Sequence, residues 1–180
     1  MTPLSASGGR SGAVPRTLTL VPIRPSPAAF APFGWLPVDD TDPVDTTHGL
    51  VFADQDPHLN VIVHHPGEVD RDGDRLRCRR LFRHRRHTQA LTVIGPPAVL
   101  VVAAADTDLR GPDAHAQLRA FHLEQPDTVV LHAGTWHWGP YPCGSAPARL
   151  LNLQARSYLD DNDHVDLLPG MAVWVAVSPG

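Results

Sequence analysis

Histidine is the residue type most able to do chemistry in this chain. It occurs 11 times in 180 residues, and four copies sit in two compact motifs. The first is Arg83-His84-Arg85-Arg86-His87-Thr88-Gln89; the second is His132-Ala133-Gly134-Thr135-Trp136-His137. A neutral imidazole is a base or a metal ligand, and a protonated one is an acid, near neutral pH. The side-chain oxygen of Gln89 can hold a substrate or complete a coordination shell. Between the motifs lie two apolar runs, Leu91–Ile94 and Ala98–Ala105, joined by Gly95-Pro96-Pro97. That spacing predicts a hairpin, which would bring His84, Gln89, His132 and His137 together inside a small β-barrel. His87, two residues before Gln89, should share its face. Gly134 permits the tight turn that precedes His137.

The elements that position these residues read as strands. Thr17–Ile23 and Leu59–His65 alternate, as do Arg75–His84 and Ala148–Ser157; Thr128–Leu131 is a short strand and Met171–Val177 a final strand or tail. In Arg75–His84 one face carries Leu76, Cys78, Arg80, Phe82 and His84. The other carries an arginine stripe that reads as a solvated sheet face. Arg80 is then a candidate to hold a substrate carboxylate, with an ion pair to an aspartate as the structural alternative. Trp136 and Trp138 are expected to wall the barrel and Tyr141 to gate its mouth, as substrate-binding candidates. Ser26 and Pro27 mark the start of a short helical segment and Gly34 its stop. Ala114–Leu123 reads as either helix or strand. His64, His65, His115 and His122 read as surface or packing residues.

Composition removes several mechanisms. There is no lysine, so a lysine Schiff base is impossible. Formal charge is −4, which offers no field for nucleic acid. Cys78 and Cys143 form no close motif and suggest a reduced, cytoplasmic setting. Cys143 has no histidine placed by sequence to activate it. No apolar run is long enough to span a membrane. Asp70–Asp74 is a turn that lacks the glutamate of a calcium loop. Residues 1–16 read as a disordered leader and 17–180 as a single all-β domain, with 19 prolines and 14 glycines punctuating short strands.

The two histidine motifs together resemble those of the cupins, which are jelly-roll β-barrels. Gly134 and His137 match the second cupin motif. His84 and Gln89 stand at the second histidine and the glutamate of the first, and Phe82 replaces the first histidine. A complete cupin metal site is therefore not expected. The resemblance leaves a weakly bound divalent ion (Ni, Mn or Zn) on His84, Gln89 and His137, or no required cofactor. Ala29-Phe30-Ala31-Pro32-Phe33-Gly34, Thr88-Gln89-Ala90 and Trp136-His137 narrow the likeness to the ureidoglycolate lyase family.

That resemblance implies a homodimeric lyase that splits ureidoglycolate into glyoxylate and urea. His84, Gln89, His132 and His137 would line its pocket, and His84 or His137 would carry the proton. Departures stand at Ala53, Gln55 and Val63, where the family places arginine, histidine and arginine, and at Trp138, where it places a second histidine. They point to a wider, more apolar pocket, with Arg80 or Arg156 available as a replacement cation. A non-catalytic cupin binding protein and a metal-dependent oxygenase or isomerase are the alternative readings.

Overall fold

The computed structural model describes residues 16–37, 48–52, 55–111, 113–167 and 171–180. The leader up to residue 15 and the departure at Ala53 lie outside these residues. The chain is all-β. Its strands are β1 (Arg16–Leu20), β2 (Gly34–Trp35), β3 (Pro57–His64), β4 (Arg71–Asp72), β5 (Arg75–Cys78), β6 (Arg80–His84) and β7 (Gln89–Val93). There follow β8 (Ala98–Ala103), β9 (Arg119–Leu123), β10 (Thr128–Leu131), β11 (Trp136–Pro142), β12 (Ala148–Ala155), β13 (Asn162–Asp166) and β14 (Met171–Ala176). A short α-helix, α1 (Pro27–Phe30), is capped by the Ser26 hydroxyl, which accepts from the Ala29 N–H, and has Pro27 in its first turn. Ala114–Leu123 is both things in turn: a 3-10 segment over Ala114–Gln117, then β9.

Among the described residues the strands form three sheets, not one closed barrel. Their orders are β1-β14-β5-β4, β2-β10-β7-β12-β3 and β13-β6-β11-β8-β9. The last sheet lies in the middle. One of its faces packs on the first sheet through Leu81, Val101, Trp136, Trp138 and Val173. Its other face packs on the second sheet through Leu91, Leu100, Val102, Phe121 and Leu150. This double burial explains β8, Ala-Val-Leu-Val-Val-Ala, in which every residue is buried. A strand covered on both sides has no polar face to show.

Two expectations fail here. Residues 88–94 and 98–105 are not a hairpin: β7 pairs with β10 and β12, whereas β8 pairs with β9 and β11. Gly95-Pro96-Pro97 is a crossing between two facing sheets. Residues 75–84 are not one strand either. The ladder breaks at Arg79, β5 pairs with β14, and β6 pairs with β11 and β13. The break shifts the alternation by one residue, so Cys78 and then Leu81 enter the same core. Arg80 is consequently exposed and bound to Asp166.

The Phe30-Ala31-Pro32-Phe33-Gly34 segment ties the N-terminal part of the chain to the second histidine motif. Its Phe33 carbonyl accepts from the His132 N–H and from the Thr135 hydroxyl, both at 2.9 Å. Gly34 lies against β10 so closely that a Cβ would stand 1.7 Å from the Val130 carbonyl oxygen. The obstacle is backbone and cannot rotate away. Gly34→Ala should therefore push β2 off β10 and cost about 3 kcal/mol, read as a lower urea midpoint at unchanged slope.

Candidate functional site

A cavity of about 210 Å³ opens between the second and central sheets. Its walls carry Phe82 and His84 from β6, Gln89 from β7, His137, Gly139 and Tyr141 from β11, and Gln154 from β12. Ile62 and His64 of β3, Tyr158 and Asn162 complete it. No arginine, aspartate or glutamate is among these lining residues.

Strand alternation explains who enters. Ile62 and His64 face inward, so Val63 between them does not line the cavity; it pairs with Arg149 on β12. On β11, His137 faces the cavity, and Trp136 and Trp138 therefore point to the opposite core. They do not wall the site, a correction that follows directly from the two-residue period. Trp136 instead lines a separate cleft of about 400 Å³ and lies under the Arg83 guanidinium, 3.9 Å from its ring centre. Gly139 and Tyr141, two and four residues after His137, also line the cavity, and the ladder to β8 shifts register between Trp138 and Tyr141, where Gly139 has φ +89°. His132 does not reach the cavity; its ring packs on Trp35 at 5.4 Å. Arg156, like Arg80, is an exposed ion-pair partner, here of Asp56.

Four imidazoles bear on this region. His84 and His87 stack at 4.7 Å, and His84 lies 5.5 Å from His137. His64, read from sequence as a surface or packing residue, stacks on Tyr141 at 4.8 Å. Its Nδ1–H donates to the Pro140 carbonyl at 2.6 Å. The His137 Nδ1–H donates to the Thr135 carbonyl at 3.1 Å, because a carbonyl can only accept. That bond fixes the tautomer and leaves Nε2 with the lone pair. The Gln89 amide N–H₂ donates to Asn152, and Asn152 donates to Asn60. The Oε1 atoms of Gln89 and Gln154 are buried and unpartnered, as is Nδ1 of His84. Such atoms are costly to bury without a partner and mark where a ligand's groups belong.

Burial holds the site imidazoles neutral. It pushes His84 down to about 3, helped by the neighbouring His137 and His87, and His137 down to about 4, against the opposing pull of the Thr135 carbonyl. The unfolded chain takes up these protons at 6.5. Below 6.5 the unfolded state therefore binds more protons, and stability falls as pH drops toward 4; above 6.5 the contribution is constant. In chelator-treated protein the melting temperature should fall between pH 6.5 and 4.5, and fall less steeply in His84→Gln/His137→Gln.

Several residues in and beside the cavity gave weaker sequence signals. His64 was readable from its alternation with Ile62. Asp161 and Tyr158 were not, since the Arg156–Asp161 3-10 segment reaches the site only because β13 pairs with β6, Asn162 opposite His84.

Neutral imidazole and amide oxygen are donors of a kind that suits a borderline divalent ion. Fold and site together define an all-β protein with a histidine- and amide-lined cavity between sheets. The ureidoglycolate lyase family model matches residues 38–166, and the chain belongs to that family. No curated protein matches it. Among solved structures it is similar to a dTDP sugar isomerase from Desulfovibrio desulfuricans G20. Identity is 13%, with a TM-score of 0.45 over 72% of this chain and 78% of that one. Among the described residues no helix is long and apolar enough to cross a membrane.

Proposed function

We propose that this protein is a lyase that cleaves a carbinolamine-type C–N bond, converting ureidoglycolate, or a related ureido compound, to an aldehyde and urea. The observation that carries this reading is the pairing of His137 with two unpartnered amide oxygens in one cavity. A ureido group offers N–H donors, and Oε1 of Gln89 and Gln154 are buried acceptors without partners.

In the reaction, His137 Nε2 takes the proton of the carbinol hydroxyl. The C–O bond becomes C=O, the C–N bond breaks, and its electron pair goes to the urea nitrogen. The imidazolium then returns the proton to that nitrogen. The Thr135 carbonyl steadies the cationic ring while it holds the proton. A divalent ion held beside it on His84 and nearby donors would supply Lewis-acid polarisation and positive charge for a carboxylate, with Nε2 of His137 left free as the base. The expected setting is a cytoplasmic homodimer acting on a small molecule.

The test is release of glyoxylate and urea from ureidoglycolate by purified protein, with and without added Ni²⁺ or Mn²⁺, against an enzyme-free control. Turnover above that control supports the reading. A folded protein that binds the substrate without turning it over would instead be a binding protein.

A further inference from the structure

We infer that His84, His87 and Asp161 form a binding site for one divalent transition-metal ion. The two-histidine, one-carboxylate set stands beside the cavity and shares only His84 with the family's metal position. The inference goes beyond the lyase reading and does not depend on turnover.

Three observations carry it. One donor atom from each of the three residues lies within 4.8 Å of the others. His87 is 1% exposed, yet neither of its ring nitrogens has a hydrogen-bond partner, and Nδ1 of His84 is unpartnered too. The Asp161 carboxylate is 8% exposed and stands 3.4 Å from Nδ1 of His87. Buried imidazole lone pairs facing a buried carboxylate are what a cation would satisfy and what an apolar core would not leave.

The local chain explains the geometry. His84 ends β6, the bend at Arg85–Arg86 reverses direction, and His87 returns beside it. Asp161 Oδ2 accepts the Arg86 N–H at 2.7 Å, which pins the carboxylate at the mouth of that bend. An ion about 2.1 Å from each donor needs those atoms within about 3.5 Å of one another. The present spacing, up to 4.8 Å, is wider, so binding an ion requires the stacked His84 and His87 rings to turn toward Asp161. Two imidazoles and one carboxylate leave coordination positions open and suit a borderline ion such as Zn²⁺, Ni²⁺ or Fe²⁺. The charge also answers a deficit, since no arginine is among the described residues that line the cavity.

The experiment uses the full chain, stripped with chelator and titrated with Zn²⁺, Ni²⁺ and Co²⁺. Bound metal is read by equilibrium dialysis with elemental analysis and by the visible spectrum of the cobalt form. The expected result is one ion per chain. Affinity should fall more than about 10-fold in His87→Ala and in Asp161→Asn, with loss of the cobalt band, and stay unchanged in Gln89→Ala. Asp161→Asn keeps volume and so serves if His87→Ala does not fold. Failure of all three metals to bind would overturn the site. So would binding that survives Asp161→Asn, or that depends on Gln89. Each result stands whether or not ureidoglycolate is turned over.

Discussion

His137→Ala lowers kcat/KM for ureidoglycolate by at least about 100-fold, the usual worth of a positioned proton carrier. The expectation rests on geometry more than on motif. His137 is buried, faces the cavity, and has its Nδ1–H committed to the Thr135 carbonyl, so Nε2 is its one remaining base. Among the described residues none that lines the cavity offers a carboxylate to take over the proton. A second variant, Thr135→Ala, separates proton transfer from packing. The carbonyl that orients the ring is main chain and survives, while the hydroxyl bond to Phe33 is lost. Thr135→Ala should therefore reduce stability more than turnover. Unchanged turnover in His137→Ala would remove that residue from the mechanism, and the lyase reading would then need another base.

Phe121→Ala destabilises the fold by about 3–5 kcal/mol, the range for deleting a fully buried phenylalanine. Phe121 is 0% exposed. Its ring meets Phe30 edge-on at 5.0 Å and Phe33 at 6.0 Å, and its backbone bridges Ile23. Those rings join β9 to the segment around α1, so the void cannot be filled by one moving side chain. Phe33 in turn anchors the turn before His137 through its carbonyl. The loss should appear as a lower urea midpoint, and Leu159→Ala, at 70% exposure, should stay within about 0.5 kcal/mol of the parent. Equal effects from both variants would contradict the packing described here.

Much of this was legible along the chain because it depends on neighbours in sequence. The Ser26-Pro27 start of α1, the strands at 59–64, 128–131 and 148–155, and the Gly134 turn all follow from local geometry, Gly134 taking φ +85°. His84, Gln89 and His137 share a cavity, and each stands in a motif that the family resemblance had singled out. What misled was alternation itself. It tells which residues share a face only while a strand continues unbroken, and the break at Arg79 reversed the faces of Arg80 and Leu81.

The sequence by itself determined the class of fold, the local turns and the residue types that chemistry could use. The tertiary structure alone decided which of the central sheet's two buried faces is the site. Both faces of that sheet are covered, so Trp136, His137 and Trp138 are all buried, and only the neighbours across each layer distinguish an apolar core from a cavity. The same holds for Asp161. The β13–β6 ladder pairs its neighbour Asn162 with His84 and so brings Asp161 to that histidine, and long-range pairing of that kind leaves no trace in local spacing.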